Sequence, residues 1–101
     1  MGIKYLNMNE MKLNVAVIGS RSFDDYGLLS RFIITRILPK RIRCIISGGA
    51  KGADSLAERF AEEYHCDFKV FHAKWRIYGS KAGYLRNHDV IKTCDMCFAF
   101  W

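Results

Sequence analysis

Residues 47–54, Ser47-Gly48-Gly49-Ala50-Lys51-Gly52-Ala53-Asp54, sit between two segments with different apolar patterns. Before them, Ile42 to Ile46 is a short apolar run that reads as a buried strand. After them, Ala53, Leu56, Ala57, Phe60, Ala61 and Tyr64 recur with the spacing of one helix face. A glycine-rich turn therefore sits between the end of a strand and the start of a helix. The first N–H groups of a helix lack partners inside it, and the helix dipole adds about half a positive charge there. Such a turn can hold an anion, and glycine lets the backbone come close to a phosphate. The spacing matches neither the dinucleotide G-x-G-x-x-G fingerprint nor a P-loop, because no Gly-Lys-Ser/Thr follows. A β–α turn that holds no ligand can carry the same glycines.

The remaining segments extend the same alternation. Leu13 to Ile18 is a compact apolar run closed by Gly19. It lacks strict alternation, as expected of a strand buried on both faces in a parallel sheet. A polar turn, Gly19-Ser20-Arg21-Ser22-Phe23-Asp24-Asp25, follows, and Asp24 or Asp25 can cap the next helix. That helix is predicted over about Tyr26 to Leu38 and is ended by Pro39. Phe68 to Phe71 reads as a third strand, His72 to Lys81 as a loop, Ala82 to about Thr93 as a third helix and Met96 to Trp101 as a last strand. The order predicts an α/β fold: a Rossmann-like, mostly parallel sheet with helices on both faces. Residues 1–11 read as a tail or short added segment, and residues 12–101 as one domain.

Composition narrows the function classes. Half of the 101 residues are hydrophobic, which is enough for a core and argues against disorder. No apolar run is long enough to span a bilayer and no signal-peptide pattern opens the chain, so a cytoplasmic protein with no membrane partner is expected. The formal charge is +6; residues 1–50 hold 8 Lys and Arg against 3 Asp and Glu, and residues 51–101 hold 8 against 7. That excess permits a nucleic-acid or anionic-ligand partner without requiring one. Cys94-x-x-Cys97 has half the spacing of a zinc site or a redox pair, but it lacks a second pair, a local His and the helix start that a redox pair uses. No metal or cofactor is expected, and His65, His72 and His88 show no ligand spacing.

In an open parallel sheet, ligands bind beyond the carboxyl ends of the strands. Arg21, Lys51, Lys74, Arg76, Lys81 and Arg86 all fall at that rim, whereas Lys40, Arg41 and Arg43 fall at the opposite one. A phosphate-bearing ligand is one reading of the six cations, and a solvated basic rim is the other. Tyr84, Asn87, Ile91 and Cys94 share a face of the third predicted helix, and an amide on an apolar face needs a hydrogen bond. Asn87 can find it in the glycine turn, in a ligand or in nearby backbone. Phe23 and Trp75 can stack on a base or pack against the sheet.

Taken together, Gly19-Ser20-Arg21-x-Phe23-x-Asp25, the turn Ser47 to Asp54, Leu56-Ala57-Glu58, Trp75, Gly79, Ala82-Gly83, Arg86-Asn87 and Phe98-Ala99-Phe100-Trp101 resemble the YspA-like branch of the SLOG superfamily. The resemblance runs from about residue 13 to the end. It implies a Rossmann-like domain that binds a nucleotide or nucleotide-derived ligand. The superfamily includes lonely-guy phosphoribohydrolases and a DNA-processing protein that binds single strands. Gly48, Gly49 and Gly52 match its first phosphate turn, and Arg86 matches a helix arginine near the hydrolases' substrate. The family pattern continues into a second glycine-rich turn and a further helix, where the hydrolases carry their catalytic glutamate. This sequence lacks that C-terminal strand–helix unit, and Glu58 lies on the wrong helix to replace the glutamate. The edge so exposed is one a second copy can cover, which makes a homodimer an expectation.

The ligand-binding residues expected from these readings are Gly19, Ser20, Arg21, Phe23, Ser47, Gly48, Gly49, Ala50, Gly52, Asp54, Trp75, Arg86 and Asn87. In this reading Ser47 and the glycine turn hold the phosphate, Arg21 and Arg86 neutralise it, and Asp54 orients the turn or bonds a ribose hydroxyl. Phe23 or Trp75 covers the base. The alternatives are N-glycosidic cleavage, with Asp25 or Asp54 as acid or base, and single-stranded nucleic-acid binding. Gly52→Val is expected to abolish nucleotide binding in a folded protein.

Overall fold

The computed structural model describes residues 11–49 and 51–101; the predicted N-terminal segment lies almost wholly outside them, as does Ala50. Four strands form one sheet: β1 (Leu13–Gly19), β2 (Ile42–Ser47), β3 (Asp67–Val70) and β4 (Met96–Phe100), in the order β3-β2-β1-β4. All three pairings are parallel. This is a Rossmann-like order. The chain steps outward from β1 to β2 to β3, then crosses back to place β4 on the other side of β1.

The first two helices, α1 (Tyr26–Ile34) and α2 (Ala53–Glu63), cover one face of the sheet. Leu29 and Ile33 of α1 and Ala57, Phe60 and Ala61 of α2 pack on Val15, Val17, Ile45, Phe98 and Phe100. A short helix α3 (Trp75–Tyr78) and a 3-10 turn then lead into α4 (Ala82–Thr93). The α4 helix lies on the opposite face, where Val90 packs with Ala16 and Ile46. Helices therefore cover both faces.

Local chemistry explains most of the boundaries. Asp25 caps α1, its Oδ1 accepting from the Leu28 N–H at 3.0 Å, a bond worth about 1 kcal/mol. The helix ends at Ile34, four residues before the predicted Leu38. Arg36 and Ile37 both donate to the Ile33 carbonyl, so the chain turns early while Ile37 still reaches the core. Pro39 opens a 3-10 turn, and β2 begins at Ile42. The register shifts between Leu13 and Asn14, whose partners are Ile42 and Cys44, so Arg43 is an extra residue. That bulge lets Ile42 and Ile45, three positions apart, enter the same core cluster. At the start of β1, Asp95 Oδ2 accepts from the Asn14 N–H at 2.7 Å while the Asp95 N–H returns to the Asn14 carbonyl at 2.8 Å.

The predicted loop 72–81 is partly helical, because α3 and the 3-10 turn occupy Trp75–Lys81. On α4 the predicted inward face is wrong: Tyr84 is 75% and Ile91 55% exposed. Ala82, Arg86 and Val90, four residues apart, lie on the side that meets the sheet, with Ala82 and Val90 buried and Arg86 reaching the glycine turn. Asn87 is exposed. Among the described residues, no helix is long and apolar enough to cross a membrane.

Candidate functional site

The carboxyl ends of β1 and β2 carry the two glycine turns, and backbone packing locks them together. The Ser20 N–H continues the β1–β4 ladder by donating to the Phe100 carbonyl at 2.8 Å. A Cβ on Gly19 would lie 2.0 Å from that same oxygen, so no other residue fits there without moving β4. The Ser20 carbonyl then accepts from the N–H groups of Phe23 and of Ala53, both at 3.2 Å. Its hydroxyl accepts from the Ser22 N–H at 3.1 Å and meets the Ser22 hydroxyl at 2.8 Å. The first turn is thus fastened to the first residue of α2.

Gly52 makes that closeness feasible. Its backbone, at φ 77° and ψ −126°, lies in a region reserved for glycine. A Cβ there would stand 2.3 Å from the Ser20 carbonyl oxygen and 2.5 Å from the Arg21 carbonyl group. Gly52→Val is therefore expected to disrupt the packing of the two turns as well as any ligand bound there.

The second turn is braced from below and from the side. Ser47 is fully buried, and its Oγ accepts from the Gly49 N–H at 3.1 Å. It shapes the turn from inside, with no surface left for a ligand. Gly49, at φ 75°, is exposed, and a Cβ there would come within 2.6 Å of Val70. Arg86 reaches across from α4 and donates through Nη1 to the Gly48 carbonyl at 2.6 Å and through Nε to Asn87 Oδ1 at 2.8 Å. Asn87 thus finds its partner in Arg86, which it orients. The guanidinium holds the turn through Nη1 and Asn87 through Nε, and Nη2 is the nitrogen these bonds do not use.

Other expected site residues occupy different places. Phe23 packs on Phe100, ring centroids 5.3 Å apart, at the edge of the core. Trp75 is 52% exposed and lies over the first turn of α4, where a Cβ on Gly83 would meet its ring at 3.2 Å. Arg21 and Lys51 are exposed at the rim. Asp25 is committed to its helix cap. Asp54, in the first turn of α2, is 6% exposed.

A cavity of about 320 Å³ opens beside the second turn, lined by Gly49, Asp54, Ser55, Glu58, Phe68, Val70 and His72. It runs from the glycine turn along α2 to the edge strand β3. Glu58, set aside on sequence grounds, shares this cavity with Asp54. The signal was the spacing of four residues, which puts both carboxylates on one helix face. His72 could be placed there only once β3 was known to run alongside α2. The cavity brings an exposed, positive-φ backbone turn at Gly49 together with the carboxylates of Asp54 and Glu58.

Desolvation pushes the thiols of Cys94 and Cys97 above their ordinary range, opposite to what a reactive thiolate pair needs. Among the described residues, no group of three His, Cys, Asp or Glu can hold a metal ion.

Sequence comparison places the chain beside known proteins. The Gene 61 protein of Mycobacterium phage D29 is 37% identical over 62 residues, covering 55% of this chain and 50% of that protein. The chain thus spans about half the length of that relative. No solved structure matches the chain. The sequence pattern of the family described as YspA, cpYpsA-related SLOG matches residues 13–78, from the start of β1 to the end of α3 and through both glycine turns. The chain belongs to the YspA, cpYpsA-related SLOG family.

Proposed function

We propose that the protein binds a nucleotide or nucleotide-derived small molecule at the carboxyl rim of the sheet. The observation that carries this reading is the cavity that begins at Gly49 and ends at Glu58. It joins a glycine turn suited to a phosphate to a carboxylate pair suited to ribose hydroxyls. In this reading the phosphate lies against the exposed turn, with Arg21 and Lys51 supplying charge-assisted bonds. Arg86, Asn87 and Ser47 hold the turn in shape. Asp54 and Glu58 accept from the ribose, and Phe68, Val70 and His72 border the base. Membership of a SLOG family supports a nucleotide-related role.

A hydrolytic reading gains one observation over its sequence basis, the shared cavity of Asp54 and Glu58. Two carboxylates at one ligand can divide the acid and base roles of glycosidic cleavage. Product analysis after incubation with nucleoside monophosphates distinguishes a hydrolase from a binding module.

Calorimetric titration with AMP, NAD, ADP-ribose and a single-stranded oligonucleotide, at two salt concentrations, tests the binding reading. Saturable binding of a small nucleotide is expected, with weak salt dependence. Arg21→Gln, an exposed change, is expected to weaken it by about tenfold or more, the loss of one bond to a charged group. Binding of the oligonucleotide alone, abolished by salt, overturns the reading in favour of a nucleic-acid surface.

A further inference from the structure

Three histidines are scattered through the sequence, yet the fold brings two of them to one recess. His72, in the loop leaving β3, and His88, on α4, line a cavity of about 290 Å³ with Lys74, Tyr78, Leu85 and Asp89. Ala82 lies at its base, buried and small enough to leave the space open. The recess belongs to the α4 side of the rim, whereas the Asp54–Glu58 cavity belongs to the α2 side. His72 borders both.

We propose that this recess is a second ligand site, for a small phosphorylated molecule bearing a free hydroxyl, such as a pentose phosphate. The Lys74 ammonium offers three donors, each imidazole at least one, and the Tyr78 hydroxyl another. These converge on one space from a loop, a short helix and the flank of α4. Asp89 is the lone carboxylate of the lining and suits a sugar hydroxyl. Leu85 gives the apolar wall that such pockets ordinarily have. The volume is at the small end for ligand sites, about 300 Å³, so a phosphosugar fits and a dinucleotide does not.

The two sites share only His72; the other lining residues of the recess belong neither to the glycine turns nor to the Asp54–Glu58 cavity.

The test follows the imidazole signals of the full chain by NMR during titration with inorganic phosphate and with ribose 5-phosphate at one fixed pH. The signals of His72 and His88 are expected to move saturably with ribose 5-phosphate. His88→Gln, at an exposed position, is expected to weaken that binding at least tenfold without altering the melting temperature, while Arg21→Gln leaves it within twofold. Three results overturn the proposal: shifts reproduced by sodium chloride at equal ionic strength, equal movement of His65, or loss with Arg21→Gln but not with His88→Gln.

Discussion

Gly52→Ala destabilises the domain by about 2–6 kcal/mol, a large share of the ordinary stability of a small domain. The figure has two sources. A non-glycine residue in this backbone region is strained by about 1–3 kcal/mol. The added methyl group must also displace the backbone of Ser20 and Arg21, and forced overpacking typically adds about 1–3 kcal/mol. Gly79 separates the two contributions. Its backbone, at φ 57° and ψ −133°, occupies the same region, but a Cβ there meets nothing within 4 Å. Gly79→Ala should therefore lose only the strain. Denaturant melts of the two variants measure the difference. Equal losses would mean that the packing of the two turns contributes nothing.

Arg86→Ala is expected to lower stability by about 1.5–3 kcal/mol, the range for a hydrogen bond to a charged group. In a domain of this size that is a fall in melting temperature on the order of 10 °C. The Gly48 carbonyl loses its charged partner, and the second turn loses its brace to α4. Nucleotide affinity should fall with it, through the shape of the turn. Arg86→Lys recovers charge without the fork that bonds Gly48 and Asn87 together, so it should rescue little. Gly48→Ala attacks the same contact from the other side, since its Cβ would stand 2.6 Å from Arg86 Nη1. The double variant should be less harmful than the sum of the single ones. Additive losses would show that the contact is not a shared one.

The comparison of Gly48, Gly52 and Arg86 shows what the sequence could convey. Glycine spacing and apolar runs marked the strands, both turns and the parallel order, because those signals are local. The purpose of each glycine was not local. Gly52 was read as room for a phosphate, but its missing side chain first accommodates Ser20 and Arg21, thirty-odd residues earlier in the chain. Arg86 was read as a ligand cation because it falls at the basic rim of the sheet and matches a helix arginine of the resembled hydrolases. Its position between Ala82 and Val90 puts it on the sheet side of α4, and that hid the true inward stripe. Asn87, expected on an apolar face, is exposed instead and accepts from Arg86. His72 and His88 come from different elements, so no spacing could pair them. Glu58 was legible in principle, since Asp54 and Glu58 are one helical turn apart, but only the position of β3 makes a cavity beside them.

The central claim is that the glycine turns and the Asp54–Glu58 cavity form one nucleotide site. Titration of the isotopically labelled protein with AMP, followed through backbone amide shifts, tests it most directly. The account predicts saturable shifts centred on Arg21, Gly49, Lys51 and Gly52 and extending along α2 to Glu58, with the amides of Lys40 and Arg41 at the far rim unmoved. Unmoved turn amides at millimolar AMP, or saturable shifts confined to any other surface, would contradict it.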